Sequence, residues 1–516
     1  MDFFTKIRVR NNSFEEYMTK SKPLLATLVV LLTTSSCGML GKRTPASERD
    51  IVLSNIFSDV HSSLTSVSKD PKLCALQFSD LYKRLLNMAG VASYFDSTDI
   101  KSIDEDIQNS FETRLELKES FRNFINNSSD SSQCLNTAQD VARALRYIED
   151  YLIELRVQKD TNINSEYINL MGEFPYLLVN PKYKDDFKSY HDLKSGDVIL
   201  SRGGAYTSAA IARIAVSDYQ FSHLSFVYKN PTTGELSTSE AHIEIGSVAA
   251  PIQAHLDEKN VRTVVFRYVD QDVAHRASEA IYKRIKKANE SGKNIEYDFS
   301  MNYKDPTRLY CSEVVSAGFK LALPESDFFP KFKSNFSAGM IPFLNSVGVP
   351  LTKENVSQID VFAPGDIQFD PNFELIAEWR NPKRLEESRY KDFILTKIFE
   401  RMDKKGYEFD GNLKMDVQTK ALWLLRRTPI VRKFLEKKFP LNMNPTQLEV
   451  FMMLDKIGDA IYKEIELKSI DFDHPMTPKE IYQVIDDFMD KDLEVYKKYK
   501  KSSDSPRPAF HLLFHP

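Results

Sequence analysis

The chain changes hydrophobic texture twice, near Asp192 and near Phe362, and those two changes bound what it can fold into. Before Asp192 the apolar residues recur at helical spacing: Ile56, Val60, Leu64 and Val67 in one stretch, Val141, Leu145, Ile148, Leu152 and Leu155 in another. Residues 126–133 (NNSSDSSQ) supply turn chemistry between two such helices. Between the changes the apolar runs become short and rich in β-branched and aromatic residues: 197–200 (DVIL), 223–228 (HLSFVY) and 262–268 (RTVVFRY). Residues 230–234 (NPTTG) read as a hairpin turn into a strand at 235–242, and helices are expected over 272–289 and from about Cys311. Beyond Phe362 the pattern is mostly helical again. There Thr477, Pro478, Lys479 and Glu480 form a capping box with proline at the first helical position. The expected fold class is α+β. A helical bundle over 38–185 and a helical C-terminal region over 351–516 flank a core of antiparallel sheet and helices over 186–350.

A length of 516 residues suits roughly three domains of ~150 residues. Lys and Arg number 69 against 73 Asp and Glu, a formal charge of −4, so the basic surface that nucleic acid requires is missing. With 42% hydrophobic and 28% charged residues the chain is neither disordered nor wholly embedded in a membrane.

Residues 24–32 (LLATLVVLL) form the strongest apolar run, too short for a membrane-spanning helix of ~20 residues. Lys20 and Lys22 precede it, Thr33, Thr34, Ser35 and Ser36 follow, and then comes Cys37, the order of a secretory signal. A cysteine directly after small residues resembles the lipobox of bacterial lipoproteins, although Thr34 stands where leucine is usual. The resemblance implies a signal peptide over 1–37, a lipidated Cys37 holding the protein to a membrane, and a place in the bacterial cell envelope. Gly38 after the cysteine points to the outer membrane, facing periplasm or cell surface. Met18 is a better initiator than Met1, because a leader starting there is basic and lacks Glu15 and Glu16.

Export bears on the other cysteines. Cys74 and Cys134 both sit at the starts of helical segments, and in an oxidising compartment they are either a disulfide or two buried thiols. A bond closing that loop would stabilise the fold by ~4 kcal/mol in the chain-entropy model. Cys311 is then left without a partner, which calls for an explanation.

Thiol catalysis needs a thiolate, an imidazole to generate it and a polar group to orient that imidazole. Cys311 opens a helical pattern (RLYCSEVV), where the positive end of a helix dipole lowers a thiol pKa. His223 opens one strand, and Glu240 lies on the next, within reach across an antiparallel pair. By alternation Glu240, His242 and Glu244 share a face, so His242 is an alternative orienting group. These spacings alone are common. The stretches 196–200 (GDVIL) and 222–227 (SHLSFV) resemble the paired strands of NlpC-like cysteine peptidases, with Ser225 where glycine is usual. Residues 310–315 (YCSEVV) follow those strands instead of preceding them, as in the circularly permuted papain-like amidases of the YiiX/YaeF group. Residues 239–241 (SEA) and 297–299 (YDF) resemble further pieces of that group, as does 365–382.

The resemblance covers about residues 192–323. It implies Cys311 as nucleophile, His223 as general base, Glu240 as orienting group, and Tyr310 as a pocket or oxyanion residue. It implies no cofactor, and an amide-containing substrate, for which cell-wall peptide fits an envelope location. Lipid acyl hydrolysis or transfer through the same thioester is the rival enzyme reading. A non-catalytic envelope scaffold is the other. Protein partners are not indicated. Metal ligation by His242, Glu244, His223 and Cys311 lacks the tight paired spacings of zinc sites, so no metal is expected. Asp197 reads as a turn residue, His255 and His275 as surface or helix residues, and Trp379 and Trp423 as packing anchors. Arg202 with Gly203 and Gly204 offers a weak anion-cradle motif.

Overall fold

The computed structural model describes residues 55–64, 70–89, 99–127, 132–160, 167–216, 218–325, 335–356, 359, 361–411, 413–428, 431, 443–502 and 505–516. The expected signal peptide and Cys37 lie outside the described residues. No described helix is long and apolar enough to cross a membrane.

The fold is α+β. Its centre is a seven-stranded sheet in the order β1-β7-β6-β2-β3-β4-β5, antiparallel at every step. The strands are β1 (Leu177–Val179), β2 (Asp197–Gly203), β3 (His223–Lys229), β4 (Leu236–His242), β5 (Gly246–Pro251), β6 (Asn260–Tyr268) and β7 (Phe373–Arg380). The three apolar runs of the sequence are β2, β3 and β6, side by side in the middle. Both faces of these strands are covered, which is why they read as continuous apolar runs instead of alternating ones.

Alternation assigns the faces. Val198, Leu200, Phe226, Val264 and Phe266 pack in one cluster with α6 (Gln271–Glu290), α7 (Glu313–Ala322) and the N-terminal helices α1 (Pro71–Ala89), α2 (Ile100–Asn127) and α3 (Ser132–Lys159). Ile199, Val227, Val265 and Ile376 pack on the other face with Leu170, Phe187, Leu193 and the short helix α5 (Ile252–Leu256). Trp379 belongs to this second cluster, as a packing anchor should. In the N-terminal region Cys74 and Cys134 are joined, tying the first turn of α1 to the start of α3.

The hydrogen bonding does not stop at the boundaries expected at 186 and 350. β1 lies before the first, and β7, expected to fall in a helical region, pairs along β6 well after the second. The N-terminal helices are joined to this sheet by fully buried ion pairs. Glu378 of β7 meets Arg114 of α2 and Arg146 of α3, each at 2.9 Å. Arg380 meets Glu149 and Asp150 of α3 at 2.5 and 2.7 Å, and Arg262 of β6 reaches Asp150 at 2.8 Å. Arg202 closes the row on Asp392 of α8 (Leu385–Lys405), so it serves this network and not an anion cradle.

The C-terminal helices α8, α9 (Pro445–Ser469) and α10 (Pro478–Lys501) enclose a separate apolar cluster with α4 (Tyr206–Arg213). The capping box forms: Thr477 N donates to Glu480 Oε2 at 2.7 Å, and Glu480 N donates to Thr477 Oγ1 at 3.4 Å.

Candidate active site

The Gly196–Asp197 turn sets the start of β2. Gly196 has φ +87°, and a Cβ there would lie 2.3 Å from the Ala274 side chain, so this turn needs glycine twice over. Asp197 is buried and held by Arg267 through two bonds of 2.7 Å, besides accepting Lys194 N at 2.8 Å. It is a structural turn residue, as its sequence context suggests.

His223 is the first residue of β3, and the β3–β4 register (Phe226 opposite Ser239) brings Glu240 beside it. His223 Nε2 lies 2.9 Å from Glu240 Oε2. Cys311 lies close enough to the same imidazole for each group to shift the titration of the other. Cys311 sits one residue before Ser312, the N-cap of α7, and not within the first helical turn. It is buried, with Sγ 3.8 Å from the Ser222 carbonyl oxygen.

The electrostatics of the three groups agree with one another. Burial pushes the Cys311 thiol up, but the hydrogen bond and charge of His223 outweigh it and bring the thiol below its ordinary value. Burial would lower His223, yet its hydrogen bonds to Cys311 and Glu240 hold it well above the usual imidazole range. Burial likewise opposes ionisation of Glu240, and is overcome by the charge of His255 and hydrogen bonds with His223, His242 and His255. These directions all favour charge separation between thiol and imidazole, the direction that makes sulfur more nucleophilic.

Three imidazoles therefore converge on Glu240. His242 Nε2 is 3.3 Å from Oε2, and its ring stacks on that of His223 at 5.1 Å between centroids. His242 thus supports the carboxylate instead of replacing it as the partner of His223. His255, expected at the surface or along a helix, is fully buried on α5, with Nδ1 3.3 Å from Glu240 Oε1. Its other neighbour is Ser225 Oγ at 3.2 Å, the residue that stands in the place of the usual glycine. Nothing in the five-residue helix IQAHL signalled this: it is too short to show a period.

Tyr310 is buried within the large core cluster, among Leu309, Val314 and Val315. Tyr297, bridged to Leu309 ahead of the cysteine, is buried close enough that the charge of Cys311 raises its phenol, after burial itself. The donor atoms of His223, Glu240 and His242 lie within 4.8 Å of one another, as do those of Glu240, His255 and Glu258. The contacts to Glu240 are already accounted for as imidazole–carboxylate hydrogen bonds. Glu244 and Cys311, the remaining residues of the zinc alternative, belong to neither group.

Residues 192–345 match the family model described as permuted papain-like amidase enzyme, YaeF/YiiX, C92 family. This segment belongs to the permuted papain-like amidases. The chain matches no curated protein and no solved structure. The amidase-family match supports cysteine-hydrolase chemistry in general terms. It takes in β2 to β6 and α7, and with them Cys311, His223, Glu240, His242 and His255; β1 and β7 of the same sheet lie outside it.

Proposed function

We propose that the protein is a cysteine amidase in which Cys311 is the nucleophile, His223 the acid–base group and Glu240 the group that orients and stabilises the imidazolium. The observation that carries this reading is the 2.9 Å contact of His223 Nε2 with a buried carboxylate beside a thiol drawn below its ordinary pKa. Sγ of the thiolate adds to the amide carbonyl carbon, and the oxyanion collapses as His223 gives its proton to the departing amine. A thioester on Cys311 results. Water, losing a proton to His223, then adds to the thioester carbon and releases the carboxylic acid and the thiol. Glu240 stays ionised throughout, keeping the ring tautomer fixed.

The place proposed for this chemistry is the bacterial envelope, with attachment through lipidated Cys37 and cell-wall peptide as the amide substrate. Support comes from the leader-like order of residues 20–37 and from the Cys74–Cys134 bond, since disulfides persist chiefly in oxidising compartments. The test is to incubate the purified protein with peptidoglycan fragments and simple peptide amides, quench in acid, and look by mass spectrometry for an acyl group on Cys311. Acyl adducts on wild type that vanish in Cys311→Ala and fail to form in His223→Ala support the reading. Amide turnover that survives Cys311→Ala would overturn it.

A further inference from the structure

We propose that His255 is a positioning residue for this site: together with Ser225 it locks the Glu240 carboxylate in the orientation that holds His223. The inference rests on the triad reading above and extends it to a residue outside the triad.

The geometry is specific. His255 Nδ1 straddles the carboxylate, 3.3 Å from Oε1 and 3.4 Å from Oε2, while His223 uses Oε2 alone. Ser225 Oγ, one strand position pair beyond His223, reaches the same Nδ1 at 3.2 Å. The ring's other nitrogen, Nε2, is buried and has no partner among the described residues. The anchored edge of the ring is therefore the one facing Glu240. Ile252 and Leu256 bury α5 against the sheet and so carry His255 into place. A carboxylate bonded to His223 on one oxygen only could turn about its last torsion, a broad two-fold well. His255 Nδ1, hydrogen-bonded to Oε2 and within ion-pair distance of Oε1, opposes that rotation. Glu240 is 3% exposed, so no water shell would replace a lost donor. The titratable groups around His255 are Glu240 on β4, Glu258 on the turn after α5 at 3.9 Å, and His223 on β3, with His242 meeting the same carboxylate.

The test is the rate of Cys311 alkylation by iodoacetamide from pH 5 to 9 in the full-length protein carrying His255→Leu, His255→Asn or Glu240→Gln, and in the His255→Leu/Glu240→Gln double variant. His255→Leu should slow alkylation at pH 6 about tenfold and move the acid limb up by about one pH unit. His255→Asn, whose amide N–H sits where Nδ1–H was, should stay within about threefold of wild type. In the Glu240→Gln background His255→Leu should add nothing, because two residues acting through one contact are not additive. A His255→Leu profile that overlays wild type overturns the inference, as does an equal loss in both backgrounds. If His255→Leu fails to fold, Ser225→Ala serves instead: about threefold slowing in the same direction is expected, and no change overturns the inference. A wild-type profile matching a free thiol would overturn the triad reading and this inference together. An acid-shifted wild type with an unmoved His255→Leu overturns this inference alone.

Discussion

Replacing Glu378 by glutamine removes one negative charge from the buried network between the sheet and the N-terminal helices. Glu378 is fully buried and meets Arg114, Arg146 and Arg380 at 2.9, 2.9 and 3.0 Å. The amide keeps the shape and one acceptor oxygen, but it leaves three guanidiniums facing a neutral group that also presents N–H donors to them. Removing one partner of a buried ion pair costs about 3–5 kcal/mol, chiefly because the other charge stays buried and uncompensated. Arg380 retains Glu149 and Asp150, and Arg114 retains Glu149, so the loss falls hardest on Arg146, whose other side-chain hydrogen bond is to the neutral Gln220 at 2.8 Å. About 4 kcal/mol is the expected destabilisation. The unit that spans this network runs from α2 to α8, about 300 residues; at ~2.1 cal/mol/K of unfolding entropy per residue, Tm should fall by about 6 °C. Scanning calorimetry of wild type and Glu378→Gln measures it. A fall under about 1 °C, or a second transition in wild type that separates helices from sheet, would refute the view that these ion pairs weld the two into one body.

Acid should weaken the same contact. The Glu378 carboxyl, buried yet held far below its ordinary value by Arg114, Arg146 and Arg380, contributes stability that is present above about pH 4 and lost as pH falls further. Wild type should therefore lose more stability than Glu378→Gln between pH 5 and 3 in urea titrations, and parallel curves would contradict this. Asp366 has the opposite sign: burial raises its carboxyl to about 8, so ionisation opposes the fold increasingly as pH rises from about 4 to about 8. Asp366→Asn, which keeps an acceptor for Ala363 N, should match wild type near pH 4 and exceed its stability at pH 8 in the same titrations. Cys74→Ser/Cys134→Ser should lose ~4 kcal/mol, and reduction of wild type should lower Tm to that of the variant. Gly318→Ala places a Cβ 2.8 Å from Phe226 and 2.9 Å from the Ala277 carbonyl oxygen, and should cost about 1–3 kcal/mol by thermal melt while displacing the helix that follows Cys311.

What was legible in the sequence was what leaves a local trace. The three central strands announced themselves as apolar runs, the Thr477 capping box as four residues in order, and the pairing of His223 with Glu240 as neighbouring positions on two adjacent strands. β1 is three residues long and carried no pattern. β7 (FELIAEWR) places Glu378 and Arg380 on a fully buried face, where charges at the sheet seam break the apolar run expected of an interior strand. Their partners are more than two hundred residues away in the chain, on α2 and α3, and pairing at that distance leaves no spacing to read. His255 was hidden for a related reason. Its role comes from Ser225 and Glu240 on two other elements, and the one local hint was a serine where a glycine is usual.

The account stands or falls on whether Cys311 is an activated thiolate. Iodoacetamide labelling of the purified protein from pH 5 to 9, with peptide mapping, decides it against Cys311→Ser and His223→Ala. An unperturbed thiol has a pKa of ~8.5, so rapid labelling of Cys311 near pH 6 is expected of wild type, slowing toward free-thiol behaviour in His223→Ala. Labelling that tracks a free thiol and ignores His223 would contradict the account.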